Sequence, residues 1–231
     1  MIVRIFCFLF SFVLMFQTCD VEARVSQSLL NRAIKTPERY AQDMETLVSY
    51  LTENIKDDYD KAKVIAYWIA SHVVYDNFLY YKGKVVRLRE GVSCKDDLGD
   101  IFTTRTGVCC DYAELFAQMG AMAGLDVKFI SGYASSEKPS LGLSDKKSGN
   151  YSHAWNSFKY KNKDILVDTT WMATGNLRKT GSTCHAHNQA IKKWMQSFNS
   201  RSYVFDVNDE WFDFGKNRRL KKTHIEEQPK R

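Results

Sequence analysis

The chain has 231 residues, of which 44% are hydrophobic, 26% are charged and three are proline, a composition that excludes disordered and collagen-like classes. The length fits one medium-sized domain that buries a sizeable core. The formal net charge is +6, but residues 216–231 carry seven Lys/Arg against two Glu, so the remaining body is nearly neutral. This distribution favours contact of a basic tail with anionic surfaces and gives no support for nucleic-acid binding by the whole domain.

The N-terminus has the pattern of a cleavable secretory signal peptide. One positive charge precedes an almost wholly apolar stretch, residues 5–16, and Val21-Glu22-Ala23 suits cleavage before Arg24. We therefore expect a leader over residues 1–23 and a secreted or periplasmic mature chain. An uncleaved membrane anchor is the alternative, which the short apolar stretch disfavours. No later run is long enough to span a bilayer, so we expect no transmembrane segment in the mature chain.

Cysteine usage leaves two arrangements open in an oxidising compartment. Cleavage of the leader would remove Cys7 and Cys19. The four thiols that remain would form two disulfides, or one disulfide and a thiol kept free for chemistry. These four are Cys94, Cys109, Cys110 and Cys184.

Two amphipathic helices are predicted in the first third of the chain. Thr36-Pro37 is typical of a helix start, with Thr as the cap and Pro at the first helical position. A second helix is predicted after Asp57-Asp58, with Trp68 beside its buried face. Helical spacing predicts two buried stripes, the first made of Tyr40, Met44, Leu47, Val48 and Leu51, and the second of Ala62, Ile65, Ala66 and Ile69.

The second half of the chain predicts one more helix and then strands. A polar loop, residues 135–150, separates the first strand from the other two. Helices followed by antiparallel strands predict an α+β domain. The predicted elements are a helix that starts near Cys109 and ends at Gly124, strands over Val127–Tyr133, Tyr151–Tyr160 and Asp164–Thr170, and a turn at Lys161-Asn162.

Three residues in this half have the chemistry of thiol acyl transfer. Cys109 lies where a glycine-containing loop enters a helix, and the helix N-terminus favours thiolate over thiol. If the hairpin turns at Lys161-Asn162, residues whose numbers sum to 323 pair, so Asp168 is a diagonal neighbour of His153 on the same sheet face. His153 could then act as a base toward Cys109 and as an acid toward a leaving amine, with Asp168 orienting its ring.

These segments resemble the transglutaminase-like superfamily, whose core shares the papain-like cysteine-protease plan, and are most similar to its kyphoscoliosis-peptidase-like branch. The resemblance covers roughly residues 40–215. It implies that Cys109 is the nucleophile, His153 the base and Asp168 the carboxylate, on a catalytic helix packed against an antiparallel sheet. It rests on Gly107-Val-Cys109, His153-Ala-Trp155 and Asp168-Thr-Thr170, with flanking similarity at residues 61–76, 171–175 and 203–205.

The resemblance implies a domain over residues 24–215, with a catalytic core at about 60–175 and a basic tail at 216–231 beyond it. It implies a secreted cysteine peptidase or amidase that acts on protein or peptide substrates, with hydrolysis favoured. Transamidation between a glutamine and an amine shares the same thioester. A catalytically silent binding module is the alternative from another functional class. No cofactor or metal requirement is expected, since no calcium-site pattern is visible.

Several other polar and aromatic residues admit structural interpretations. The cluster Cys184-His185-Ala-His187 suits a disulfide to Cys94 or Cys110 better than a zinc site, because no CxxC partner accompanies it. Cys110 is expected to be structural, since it points about 100° away from Cys109. Asn156 is as well suited to a structural role as to a functional one. Trp155 and Trp171 suit core or cleft walls, Tyr75 or Trp68 could approach the site, and His72 and His224 belong to no motif.

Overall fold

A computed structural model describes residues 26–76, 100–134, 151–177, 189, 193 and 205–226. The expected leader, the polar loop 135–150, Cys94 and the Cys184–His187 cluster lie outside these residues. In chain order the helices are α1 (Gln27–Ile34), α2 (Met44–Thr52), α3 (Asp58–His72), α4 (Ile101–Thr104), α5 (Cys109–Met122), α6 (Thr169–Met172) and α7 (Arg218–Lys221). The strands are β1 (Val74–Asp76), β2 (Thr106–Gly107), β3 (Val127–Ala134), β4 (Tyr151–Tyr160), β5 (Lys163–Val167), β6 (Asn176–Leu177) and β7 (His224–Glu226).

The first predicted helix begins later than its sequence pattern indicated. Asp43 caps α2 by accepting a 2.7 Å hydrogen bond from the Thr46 N–H. Pro37 instead precedes a short 3-10 turn, Glu38–Tyr40. The Thr36 hydroxyl donates back to the Ala33 carbonyl at the end of α1, a helix that the sequence analysis did not predict. The prediction of a start at Thr36-Pro37 is therefore wrong, although the apolar stripe of α2 is buried as expected.

Helix α3 forms the centre of the core. Asp57 caps it through a 2.9 Å hydrogen bond from the Tyr59 N–H, which confirms the predicted start. The four residues of the predicted buried face have no exposed area, and the side chains opposite them are buried too, because α1, α2 and α5 pack around the helix. Trp68 is also fully buried, and its ring stacks on that of His72 at 5.1 Å.

Helix α5 begins at Cys109, as predicted, and packs on β3 and β4. Its first turn is closed by Asp111, whose carboxylate accepts a 2.7 Å hydrogen bond from the Val108 N–H. The chain leaves the helix through Gly124, whose φ of 79° is the left-handed conformation that glycine adopts without strain. The helix therefore directs its N-terminus, with Cys109, toward the end of the sheet that carries His153.

The main sheet is antiparallel, with strand order β5-β4-β3-β7. Lys161 and Asn162 both have positive φ, as a two-residue hairpin requires, and Asn156 pairs with Val167 in the predicted register. Strand β5 ends at Val167, however, so the predicted extension to Thr170 is wrong. The chain turns there into α6.

A smaller parallel sheet of β2, β1 and β6 completes the α+β architecture; the sequence analysis did not predict it. Within the described residues, no helix combines the length and apolarity needed to cross a membrane.

Residues 216–226 belong to the packed structure, so the expectation that the core ends at 215 is wrong. Leu220 is 6% exposed and packs with Ile130, Trp155 and Phe214 on the sheet face that does not carry α5. Strand β7 pairs with β3, with Ala134 opposite His224. The composition of this segment is that of a solvated tail, but a few apolar side chains between the basic ones are enough to dock it.

Candidate active site

Cys109 lies at the first position of α5, half-buried and with a free thiol. A helix leaves its first backbone N–H groups without intrahelical partners, and their dipoles favour negative charge nearby. The local sequence produces this arrangement because Gly107 admits the side chain of Asp111. A Cβ atom on residue 107 would come within 2.8 Å of the Asp111 Cβ. A thiol placed here can be held as a thiolate beside donors suited to a developing oxyanion.

His153 lies on β4 with 5% of its surface exposed. Its Nε2 is 2.7 Å from Asp168 Oδ2, so the predicted contact between imidazole and carboxylate is present. The Cys109 thiol also hydrogen-bonds the His153 ring. Because Nε2 is engaged with Asp168, Nδ1 is the nitrogen left for the thiol.

Asp168 reaches His153 by a different route from the one predicted. It is the cap of α6 rather than a strand residue, and its Oδ1 accepts a 3.0 Å hydrogen bond from the Trp171 N–H. His153 consequently has no strand partner at Thr170 and pairs instead with Gly132 on β3. The side chain of Asp168 is fully buried, and capping leaves its Oδ2 directed at the imidazole.

The buried pair favours opposite charges on its two members. Burial alone would lower the pKa of His153, but the Asp168 carboxylate, and to a smaller extent Cys109, raise it to about 10. Burial alone would raise the pKa of Asp168, yet the two imidazoles in contact with it hold that pKa well below its usual range. The geometry therefore favours an imidazolium–carboxylate pair beside the thiol at neutral pH.

His224 joins this pair, and the sequence analysis missed it. Its Nε2 lies 3.0 Å from Asp168 Oδ2, the same oxygen that contacts His153, and its side chain is 2% exposed. Burial lowers the pKa of His224, and the neighbouring His153 adds to this effect. No local motif marks this histidine, because only the pairing of β7 with β3 brings it to the site.

Aromatic rings form the wall around the three polar groups. Trp171 stacks on His153 with 5.0 Å between ring centroids, and Trp155 stacks on it at 6.1 Å. Both tryptophans thus serve as walls, as expected. Asn156 is structural: its Nδ2 donates a 3.0 Å hydrogen bond to the Ala113 carbonyl and so ties β4 to α5.

The remaining residues considered from sequence lie in the core. Tyr75 is buried with its ring 6.3 Å from that of Tyr112. Trp68 packs between His72, Phe102 and the Arg105 guanidinium rather than against His153. Cys110 is half-buried against the same core, in agreement with a structural role.

The three polar groups also form a candidate metal-binding set. Ligand atoms of His153, Asp168 and His224 all lie within 4.8 Å of one another. Ligands of a tetrahedral zinc ion, each about 2.0–2.1 Å from the metal, would be about 3.3 Å apart. The contacts of 2.7 and 3.0 Å that Asp168 makes with the two histidines are shorter and fit hydrogen bonds.

Comparison with known proteins gives matches to one family. The human kyphoscoliosis peptidase is 30% identical over 128 residues, which are 55% of this chain and 18% of that protein, so the chain spans less than a fifth of this relative's length. Solved structures with similar coordinates include "Crystal structure of a TGase", at 17% identity over 71% of this chain and 38% of the other, with a TM-score of 0.38. Another is a putative cysteine protease from Cytophaga hutchinsonii, at 21% identity over 64% of this chain and 43% of the other, with a TM-score of 0.37.

The sequence profile of one family matches residues 45–174, which are more than half of the chain and include Cys109, His153 and Asp168. This match agrees with the resemblance noted in the sequence. The chain belongs to the transglutaminase-like superfamily.

Proposed function

We propose that the protein is a thiol acyl-transfer enzyme that hydrolyses amide bonds of protein or peptide substrates through a thioester. Cys109 is the nucleophile, His153 the acid and base, and Asp168 the carboxylate that orients and charges the ring. The observation that carries this proposal is the buried His153–Asp168 pair, 2.7 Å apart, in contact with a thiol at the start of a helix. Each of the three groups alone is common, but the combination is what thiol chemistry requires.

In the first half of the reaction the Cys109 thiolate attacks the carbonyl carbon of the substrate. The negative charge that develops on the carbonyl oxygen is stabilised by backbone N–H groups at the start of α5, with that of Cys109 as the first donor. His153, protonated at the outset, gives its proton to the leaving amine as the C–N bond breaks. A thioester on Cys109 and a free amine result.

In the second half His153, now neutral, accepts a proton from water as its oxygen attacks the thioester carbon. The C–S bond breaks, the carboxylic acid leaves, and the thiolate–imidazolium pair is restored. Asp168 stays ionised throughout, because its role is to stabilise the imidazolium rather than to take its proton. An amine in place of water would give transamidation by the same steps.

Two further considerations support peptide hydrolysis in an extracytoplasmic compartment. The relative that is 30% identical to this chain is named a peptidase. The first 23 residues have the pattern of a secretory leader, for which we propose cleavage before Arg24. The substrate is therefore proposed to be a secreted, periplasmic or surface-exposed protein or peptide.

The test compares the wild type with Cys109→Ala and the matched control Cys110→Ala, using a peptide library read by mass spectrometry and an electrophilic thiol probe. We expect cleavage and selective probe labelling at about pH 7, abolished by Cys109→Ala with little change in stability. Cys110→Ala is expected to lower stability more than turnover. An active Cys109→Ala variant, or equal labelling of every accessible thiol in the wild type, would refute the assignment and favour a silent binding module.

A further inference from the structure

His224 occupies a defined position on the side of Asp168 next to His153. Both imidazoles direct Nε2 at the same carboxylate oxygen, at 2.7 Å from His153 and 3.0 Å from His224. An ionised carboxylate only accepts hydrogen bonds, so His224 must donate from Nε2 in this contact. Its Nδ1 lies 2.9 Å from the Thr223 hydroxyl, a group that can supply the hydrogen bond a neutral ring needs there. The two contacts together select one tautomer of His224.

Aromatic rings hold the His224 side chain on several sides. Ring centroids of Phe214, Trp171 and Trp155 lie at 4.6, 4.7 and 4.8 Å, with the two tryptophans edge-on to the imidazole. Trp211 follows at 5.6 Å. These rings carry no charge, so the titratable groups that face His224 from the described elements are Asp168 and His153. A side chain enclosed in this way has little freedom to turn away from the carboxylate.

The backbone that carries His224 is fixed by the sheet. Strand β7 pairs with β3, and Gly132 of β3 faces Glu226 in the register. Any larger residue at 132 would direct its Cβ into the backbone carbonyl of Ile225. Leu220, buried under the turn before the strand, holds the same segment from the other side. The position of His224 relative to Asp168 is therefore set by packing as well as by its own hydrogen bond.

We propose that His224 is a positioning residue of the acyl-transfer site: its Nε2–H holds Asp168 Oδ2 against His153 and so maintains the imidazolium that Cys109 needs. The inference rests on the proposed function. Asp168 has one anchor without it, the Trp171 N–H on Oδ1, and one anchor leaves the carboxylate free to rotate about that contact. A donor on Oδ2 removes this freedom. The low pKa of His224 agrees with a ring that stays neutral beside the charged one.

The test separates hydrogen bonding from space filling by two substitutions of similar size. His224→Gln keeps an amide N–H near the position of Nε2, whereas His224→Leu fills the aromatic enclosure without a donor. We expect His224→Leu to lower kcat by about tenfold to a hundredfold with KM little changed, as is typical of residues that orient a functional group. His224→Gln is expected to recover most of this loss. Ile225→Ala, on the exposed neighbour in the same strand, is the control and should behave as the wild type.

A second readout does not depend on the substrate. Alkylation of Cys109 by iodoacetamide at about pH 6 reports the thiolate, since an ordinary thiol with a pKa of about 8.5 reacts slowly there. We expect rapid alkylation in the wild type and in His224→Gln, and alkylation at least about tenfold slower in His224→Leu. Equal rates in all three proteins, or equal losses in both variants together with lowered thermal stability, would reduce His224 to a packing residue and overturn the proposal.

A third readout keeps the two proposals distinguishable. If wild-type Cys109 proves unreactive, the proposed function fails, and the NMR titration of the His153 ring decides the role of His224 alone. We expect the His153 midpoint to fall by about one pH unit or more in His224→Leu and to stay near the wild-type value in His224→Gln. An unchanged midpoint in His224→Leu would show that His224 does not hold the carboxylate.

Discussion

Asp168 connects local structure and chemistry through its two carboxylate oxygens. Oδ1 accepts the Trp171 N–H and begins α6, whereas Oδ2 accepts hydrogen bonds from His153 and His224. The residue was expected on a strand, but as a helix cap it is held more firmly, because capping restricts the carboxylate to one orientation. Strand pairing would have fixed only its backbone.

At the residue scale, Asp168→Asn should separate these two tasks. Asparagine also caps helices and matches the shape of aspartate, so α6 should persist and the thermal midpoint should change little. The charge that supports the imidazolium is lost, and we expect kcat to fall by about 10²- to 10⁴-fold. Steady-state kinetics beside a thermal melt measures both effects. Near-native turnover would mean that Asp168 is a cap and nothing more.

At the element scale, strand β7 depends on a residue that carries no side chain. Gly132 of β3 leaves room for the Ile225 backbone, which a Cβ atom would occupy. The basic residues between 216 and 222 are exposed, while Leu220 among them is buried. One segment thus combines a charged outer face with an anchored inner one. Contact of that outer face with anionic surfaces stays a prediction.

Gly132→Val should therefore detach β7 without altering any polar group of the site. We expect turnover to fall at least as far as in His224→Leu, because β7 carries His224 away from Asp168, together with faster hydrogen exchange over residues 217–226. Ser131→Val is the matched control, since residue 131 is exposed and the substitution adds a strand-favouring side chain without a collision. Retained β7 protection in Gly132→Val would contradict this account of the strand.

At the scale of the whole molecule, the shifted pKa values predict how stability depends on pH. The pKa of His153 is about 10 in the folded chain, so its contribution is full below about 6.5 and is lost as pH rises through about 10. The pKa of Asp168 is lowered from 3.8, so its contribution is lost as pH falls below that value. Burial lowers the pKa of His224 and that of His72, the latter to about 4, which disfavours folding below about pH 6.5.

The free energy of unfolding should thus be greatest between about pH 6.5 and 10 and should fall on both sides. Urea denaturation across this range measures it. His224→Gln removes one of the two low-pKa histidines and should flatten the acid side, while Asp168→Asn should remove most of the alkaline loss. A maximum near pH 5 would be incompatible with a buried His153–Asp168 ion pair.

The sequence by itself determined the features that depend on neighbouring residues. These include the start of α5 at Cys109, the hairpin turn at Lys161-Asn162 and the register of β4 with β5, because capping, turn geometry and strand alternation act over a few residues. The register brought Asp168 close enough to His153 for their contact to be predicted. The resemblance to the transglutaminase-like superfamily followed from the same local motifs.

Only the tertiary structure decided the role of the C-terminal segment. His224 reaches Asp168 from 56 positions away in the chain, and no periodicity or motif encodes a contact at that separation. The segment has too few apolar residues to indicate burial from its composition. It docks because Gly132 leaves a gap in β3 and because Leu220 finds an apolar surface made by strands and a loop distant in sequence. Such surfaces exist only once the sheet has formed.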